Sequence, residues 1–269
     1  MPNKVKLEQV SRPHHELIPC CKDTLNKSYE LITKANTQYF SDCVRGPLYR
    51  YCRISQHVLD EVDGNYVMLL KPHDMNDLYE CSAFFVNGDS TAIQTFAGRE
   101  LLIRCFSEVN DSILMWSHYA NSNKGICIEY DIEDIREHFY KVMYLEHPLQ
   151  ISESLQSEFN PGFDYRLLSA VSKSVEWSYE KEWRLISNPA VVRGMNIKVR
   201  LPIKAVYFGS KFGYDSMDQT QEQRNLNLRF RNLLIERSIP RFVSKITSNE
   251  FSIVFDEIDD NGLKKTDIG

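Results

Sequence analysis

The chain has 269 residues, of which 42% are hydrophobic and 12% aromatic, and its formal net charge is −5 at pH 7. This composition supports a substantial core and excludes a disordered chain, and the acidic balance excludes an overall basic field that would attract nucleic acid. The seven cysteines include no C-x-x-C pair, which predicts reduced, mostly buried thiols in a cytoplasmic protein without structural zinc. Because no apolar segment resembles a leader or a membrane span, we also expect no membrane partner.

The first 130 residues predict a helical N-terminal lead-in followed by strands and short helices. Residues 1–45 form the lead-in, and Ser55 is a candidate N-cap for the first helix that follows it. Residues 81–98 show no clear hydrophobic period. The predicted strands are 48–54, 66–70, 100–107 and 125–130, and the predicted helices are 55–62 and 111–120.

The rest of the chain predicts more strands and one long helix. The order of elements favours one α+β domain over residues 46–258, with a central mixed or antiparallel sheet and a long C-terminal helix. Residues 259–269 form a flexible polar tail. Helical patterns cover 132–139, 165–173 and 218–236, strand patterns cover 142–145, 191–199, 203–208, 241–246 and 251–255, and residues 146–164 form a loop.

Residues 173–187, KSVEWSYEKEWRLIS, hold two of the three tryptophans and the one Glu-x-Glu of the chain, Glu180 to Glu182. On a strand that starts by Glu180, successive side chains alternate, so Glu180, Glu182 and Arg184 share one face and Trp183 lies on the other. Carboxylates held beside aromatic surface can be desolvated and poised for chemistry. The alternative is an edge strand with a solvated charged face, which the strand pattern alone favours.

Several common catalytic signatures are absent from the sequence. It contains no P-loop, no G-x-G-x-x-G, no nucleophile elbow and no H-E-x-x-H. No lysine has an acidic residue two positions before it, so half of the common metal-dependent nuclease site is missing, and we expect no metal. Four segments rich in polar and aromatic residues remain, and we expect them to line one pocket: 48–53, 71–80, 105–129 and 173–184.

These segments carry a resemblance to a known family. The pieces LYRYCRI, KPHDMNDLYE, CFSE with SILMWSHYANSNKGICIEYD, and EWSYEKEWRLI follow one another in this order. Together they resemble the bacterial domain of unknown function 2971 over residues 48–211, and the MWSHYA…KG and YEKEWR pieces are the more specific. Where that family has N-D-P, this chain has Asn76, Asp77 and Leu78. The family name implies no activity.

The segment order also resembles, more loosely, the ADP-ribosyltransferase fold, although the S-T-S triplet of that fold is absent. That resemblance implies an enzyme that uses NAD as its substrate, with Glu182 as the catalytic carboxylate and Glu180 as its helper. A carboxylate there would stabilise the oxocarbenium-like ribose that forms when nicotinamide departs. The loop 71–80 would face the ligand. The expected cofactor-binding residues are Arg50, Tyr51, Asn76, Ser107, Trp116, His118 and Tyr119.

Each of these residues also has a structural interpretation. Arg50 can pair with an acidic neighbour on the sheet, Ser107 can bond a strand end, and Trp116 and Tyr119 can form core. Asn76 and Asp77 can make an Asx-turn.

We therefore expect an NAD-using, ADP-ribosyltransferase-like enzyme, for which the resemblance implies a toxin or phage-defence role and an undetermined protein or nucleic-acid acceptor. The alternatives are a non-catalytic domain that binds or senses a nucleotide or nucleic acid, and an atypical nuclease. Arginines at 224–231, with Arg237 and Arg241, are the strongest basic surface for a nucleic acid, and a solvated helix face explains them equally well.

Overall fold

The computed structural model describes residues 44–72, 75–95, 101–152, 164–187, 197–212, 219–260 and 262. The helical lead-in, apart from its last two residues, and most of the polar tail lie outside these ranges. The chain divides into two compact units, and neither is one continuous stretch. The first unit is Met1–Arg45, Val67–Cys105 and Ile135–Arg200, and the second is Gly46–Tyr66, Phe106–Asp134 and Leu201–Gly269.

The described residues form strands and helices in a mixed order, which confirms the predicted α+β class. The strands are β1 (Leu48–Cys52), β2 (Tyr66–Met68), β3 (Ser82–Asn87), β4 (Ser90–Thr95), β5 (Leu102–Ser107), β6 (Ile126–Tyr130), β7 (Phe139–Lys141), β8 (Met143–Leu145), β9 (Gln150–Ser152), β10 (Ser172–Ser174), β11 (Glu182–Ser187), β12 (Lys198–Arg200), β13 (Ile203–Phe208), β14 (Arg241–Ile246) and β15 (Ile253–Glu257). The helices are α1 (Gln56–Gly64), α2 (Ile113–His118), α3 (Asp164–Ala170) and α4 (Gln221–Glu236), with 3-10 helices at Glu133–His138 and Val175–Glu180.

In the first unit, β11 lies between β5 and β7 and pairs antiparallel with β7. A second sheet has the order β4-β3-β9, and β8 and β10 form a short parallel pair. Burial of apolar side chains between these elements supplies most of the favourable free energy of folding. The core of this unit consists of Cys81, Ala83, Leu101, Ile103, Tyr140, Met143, Leu149, Ile151, Tyr165, Leu167, Leu168, Ala170, Val171 and Ile186.

The hairpin of β3 and β4 is an element that the sequence pattern did not predict. Every residue of β4 is exposed, so its sequence STAIQT has no buried face that would produce an apolar alternation. The two strands join through Gly88 and Asp89, with Gly88 at φ 58°, a conformation that glycine adopts without steric cost. The strand is therefore set by pairing with β3.

The second unit contains a sheet of order β15-β14-β13-β6-β1, and Tyr49 of β1 also pairs with Ser107. The β13–β14 pair is parallel and the others are antiparallel, so the sheet is mixed, as predicted. Ser55 caps α1, its hydroxyl oxygen accepting a hydrogen bond from the backbone nitrogen of Val58 at 3.3 Å. No helix in the described part of the chain is long and apolar enough to cross a membrane.

Gly125 allows a close backbone approach in the second unit, which generates a test of its packing. A Cβ at this position would lie 2.4 Å from the backbone oxygen of Cys52 and 2.8 Å from that of Ala120. Gly125→Ala should therefore lower the free energy of unfolding by about 1–3 kcal/mol, measured by urea titration. At Gly46 a Cβ meets nothing within 4 Å, so Gly46→Ala should change it by less than about 0.5 kcal/mol. Equal effects of the two variants would contradict this packing.

Candidate functional site

Strand β11 of the first unit is buried along its whole length, charged residues included. Glu182 is 4% exposed and Arg184 is 0% exposed. The interpretation of this segment as an edge strand with a solvated charged face is therefore wrong, because β11 has a neighbouring strand on each side. Buried charges persist only when they are paired and hydrogen-bonded, so the partners of these two residues define the site.

The Arg184 guanidinium binds two carboxylates and one carbonyl group. Its Nε donates to Glu182 Oε1 at 2.8 Å and its Nη2 to Glu182 Oε2 at 3.1 Å. Nη1 and Nη2 donate to Glu80 Oε1 and Oε2 at 2.5 and 3.2 Å, and Nη1 also donates to the Ala170 carbonyl at 2.6 Å. These bonds occupy all the N–H donors of a guanidinium group, so Arg184 is held in one orientation.

Lys173, from β10, brings the two carboxylates of the Glu-x-Glu motif together. Its Nζ donates to Glu182 Oε2 at 3.1 Å and also donates to Glu180 Oε2. The ammonium group lies 4.9 Å from the centroid of the Trp177 ring, within cation–π range. We call Glu80, Lys173, Glu180, Glu182 and Arg184 the buried charge network, since each is at most 8% exposed.

Glu180 and Glu182 lie close together, but the backbone that connects them is not the predicted strand. Glu182 and Arg184 share a strand face, as expected. The strand does not start by Glu180, which instead ends the 3-10 helix Val175–Glu180. Lys181 follows in the left-handed conformation at φ 44°, so the chain turns sharply between the glutamates. The prediction of one continuous strand is wrong, while the proximity of Glu180 to Glu182 is confirmed through Lys173.

Electrostatic interactions within the network stabilise the charged forms. Burial alone would raise the pKa of Glu182, but the charges of Arg184 and Lys173 and the hydrogen bonds from Arg184 and Cys105 lower it far below its usual range. Burial would lower the pKa of Arg184 and of Lys173. The neighbouring carboxylates, Glu182 foremost, outweigh that effect and raise both pKa values above their usual range.

Two cysteines adjoin the network, and neither is set up as a nucleophile. Burial first, and the nearby carboxylates second, raise the pKa of Cys105 and of Cys81 well above the usual thiol range. A thiol with a raised pKa forms little reactive thiolate. The described cysteines are free thiols, as expected: Cys52, Cys81, Cys105 and Cys127.

The loop 71–80 belongs to the same unit and joins the network through Glu80. Asp77 makes the Asx-turn that the structural interpretation predicted, its Oδ1 accepting from the backbone nitrogen of Tyr79 at 2.9 Å. Asn76 is exposed. Sequence reasoning missed Glu80 and Lys173 as members of the site, because no local pattern signals an ion pair such as Glu80–Arg184, which spans 104 residues.

In the second unit, Arg50 is 8% exposed and paired with Glu61, its Nη2 lying 2.5 Å from Glu61 Oε2. Its Nε donates to the Tyr130 hydroxyl at 3.1 Å. An acidic partner was expected on the sheet, but Glu61 lies on α1. A phosphate could bind Arg50 only by competing with this buried pair.

The other candidates of the second unit occupy structural positions. Tyr51 is buried, donates its hydroxyl to the Val109 carbonyl at 2.9 Å and packs edge-on against Trp116. Trp116 is buried and donates Nε1 to the Asn110 carbonyl. The Ser107 hydroxyl oxygen accepts a hydrogen bond from the Val109 backbone nitrogen at 3.2 Å. Ser107 therefore bonds the end of its strand, as its structural interpretation predicted.

His118 is exposed and Tyr119 half-buried, with their rings 6.2 Å apart. Glu180 and Glu182, in the first unit, are brought together by the Lys173 ammonium group. The expectation that all four segments line one pocket stays a prediction.

In the described ranges, no group of three or more His, Cys, Asp and Glu side chains is arranged to hold a metal ion.

The comparison with known families supports one of the two resemblances. The model of one family, described as a protein of unknown function (DUF2971), matches residues 115–185. That range contains both of the more specific pieces, MWSHYA and YEKEWR, so the resemblance to this family is confirmed there. The pieces at 48–54 and 71–80 lie outside the match. No curated protein and no solved structure matches the chain significantly.

The first prediction from this geometry concerns Arg184. Arg184→Gln removes the cation from two buried carboxylates, so we expect the free energy of unfolding to fall by about 3–5 kcal/mol. The matched control, Arg237→Gln, opens an exposed pair with Asp63 and should cost less than about 1 kcal/mol. Urea unfolding followed by circular dichroism measures both. A small decrease in the free energy of unfolding of Arg184→Gln would show that the network does not hold the fold.

The free energy of unfolding should depend on pH through Glu182. Because the pKa of Glu182 is lower in the folded state than in the unfolded state, its stabilisation is full above the unfolded value of about 4.3. That stabilisation is lost as the pH falls through the folded pKa. The free energy of unfolding should therefore decrease on acidification below about pH 5, and Glu182→Gln should make this decrease shallower.

The control for the pH series is Glu176→Gln, an exposed position on the neighbouring 3-10 helix. This variant should keep the wild-type dependence on pH. Urea titrations at several pH values between about 6 and 3 give the slopes. An unchanged slope in Glu182→Gln would show that Glu182 is not the group responsible.

Proposed function

We propose that the first unit carries an ADP-ribosyltransferase-like activity that uses NAD as its substrate, with Glu182 as the catalytic carboxylate and Glu180 as its helper. The observation that supports this proposal is the meeting of both carboxylates at the single Lys173 ammonium, beside the half-buried aromatic side chains of Trp177 and Tyr179. A toxin or phage-defence role would be the biological setting. The acceptor stays open.

The formal charge of the buried charge network favours a cationic reacting centre. By formal charge, Glu80, Glu180 and Glu182 count three negative charges, and Lys173 and Arg184 count two positive charges. One negative charge is therefore in excess among these five side chains. When nicotinamide leaves with the bonding electron pair, C1′ of the ribose becomes cationic, and a fixed negative field in a dry site stabilises that charge more than water does.

The fixed orientation of the Glu182 carboxylate also supports the proposal. Arg184 fixes both oxygens of Glu182, so the carboxylate does not have to reorient as the cation forms. Trp177 and Tyr179, whose ring centroids lie 6.1 Å apart, provide flat apolar surface against which a nicotinamide ring could pack. The acceptor nucleophile then bonds to C1′ and releases its proton, which completes the transfer.

A second candidate function is favoured by the extent of pairing around Glu182. Both of its oxygens accept hydrogen bonds from cationic side chains, and only 4% of the residue is exposed. A network of this kind also suits a purely structural role. The unit would then be a non-catalytic domain that binds or senses a nucleotide or a nucleic acid.

Nicotinamide release from labelled NAD, with cell lysate as a source of acceptors, separates the two candidates. Glu182→Gln keeps the shape and deletes the charge, so turnover should fall by about 10²-fold or more while the affinity for NAD changes much less. Glu180→Gln should have a smaller effect. All measurements are made below the melting temperature of each variant.

The matched control is Glu80→Gln, which also removes a buried carboxylate partner of Arg184. It should lower the melting temperature about as much as Glu182→Gln does, with a much smaller loss of turnover. If wild-type protein neither binds nor cleaves NAD, the proposed transferase activity is contradicted and the non-catalytic binding domain is favoured. Equal losses of turnover in both variants would show that the network acts only by holding the fold.

A further inference from the structure

The loop before β3 has an inverted pattern of burial at three consecutive residues, a buried aspartate followed by two exposed apolar side chains. Asp77 is 8% exposed, whereas Leu78 is 95% exposed and Tyr79 is 50% exposed. Desolvation of a carboxylate is unfavourable, and exposure of a leucine forgoes favourable burial. The arrangement is therefore the reverse of the one that folding alone favours, and it indicates that a ligand contributes to this surface.

The two oxygens of Asp77 differ in their surroundings. Oδ1 accepts a hydrogen bond from the Tyr79 nitrogen at 2.9 Å. Oδ2 is buried and has no hydrogen-bond partner among the described residues. A buried acceptor without a partner is rare and costly, and it requires an explanation such as a missing ligand donor.

The position of this carboxylate is fixed by the residues that follow it. The Glu80 backbone nitrogen donates to the Asp77 carbonyl at 3.2 Å, and the Glu80 side chain is held by Arg184. The Asp77 carboxylate itself is oriented by the hydrogen bond that its Oδ1 accepts from the Tyr79 nitrogen. Oδ2 is a preorganised acceptor that belongs to the same unit as Glu180 and Glu182.

We propose that Asp77 Oδ2 accepts a hydrogen bond from a hydroxyl group of the adenosine ribose of NAD, with Leu78 and Tyr79 in contact with the adenine base. A ribose hydroxyl is a neutral donor, and in Rossmann-type dinucleotide sites an acidic side chain bonds this group. Tyr79 packs one side against Phe84, at 6.1 Å between ring centroids, and half of it stays exposed for contact with a base. This assignment rests on the proposed use of NAD and adds a residue that binds the substrate.

Asp77→Asn tests the assignment because it changes only the second oxygen. The amide oxygen still accepts from the Tyr79 nitrogen, while an NH₂ group, which cannot accept, replaces Oδ2. We expect the dissociation constant for NAD, measured by isothermal titration, to rise about 10- to 100-fold. The melting temperature of the free protein should stay unchanged or rise, since a neutral amide is cheaper to bury than an unpaired carboxylate.

Adenosine and 2′,3′-dideoxyadenosine test the hydroxyl group directly. Wild-type protein should bind adenosine more tightly, and Asp77→Asn should remove that difference. Leu78→Ser should weaken both nucleosides several-fold. The controls are Asp89→Asn and Ile93→Ser, exposed positions on the β3–β4 hairpin of the same unit, which should leave binding unchanged.

A lower melting temperature in Asp77→Asn with unchanged affinity would overturn the assignment, because that is the signature of a purely structural aspartate. Equal binding of the two nucleosides by the wild type, or binding of neither, would overturn it as well. So would thermal stabilisation by Mg²⁺ or Ca²⁺ that Asp77→Asn abolishes, since Oδ2 would then hold a cation.

The ribose assignment and the proposed activity fail in different ways. Asp77-dependent binding of NAD without nicotinamide release would contradict the transferase and leave the ribose assignment in place. Equal affinity for NAD and equal cleavage in the wild type and in Asp77→Asn would contradict the ribose assignment and leave the transferase in place.

Discussion

The first unit depends on the guanidinium group of Arg184. This side chain is 0% exposed and connects the loop that ends at Glu80, the last residue of α3 and strand β11. Glu80 lies 104 residues before Arg184 in sequence, and a buried cation with two bidentate carboxylate partners allows one arrangement of these segments. Such a group adds little net stability over a well-packed apolar core, but removal of one partner is severely destabilising. The network therefore specifies the geometry of the unit more than it stabilises it.

The first and last residues of an element could be predicted where its buried residues follow the apolar pattern of the sequence. The strands β13 and β14 begin and end where the apolar pattern placed them, and Ser55 caps α1 as its position indicated. Strand β4 could not be predicted, because no residue of it is buried. The start of β11 depends on the left-handed conformation of Lys181, which is not a residue that signals a positive φ.

The candidate site was predicted in part, and the missing part has a physical reason. The single Glu-x-Glu motif led to Glu180 and Glu182, because a motif is a local feature. Glu80 could not be found in this way, since its partner Arg184 is 104 residues away. The interleaving of the two units along the chain was hidden for the same reason: no linker composition marks where the chain passes from one unit to the other.

The two cations of the network, Arg184 and Lys173, differ in shape and in the partners that hold them. Arg184 is a rigid planar fork whose donors are all occupied, so it cannot move without breaking bonds to two carboxylates. Lys173 is a point charge on a flexible stem, shared between Glu180 and Glu182. Arg184 therefore fixes the segments of the fold against one another, while Lys173 brings together the two glutamates of the motif.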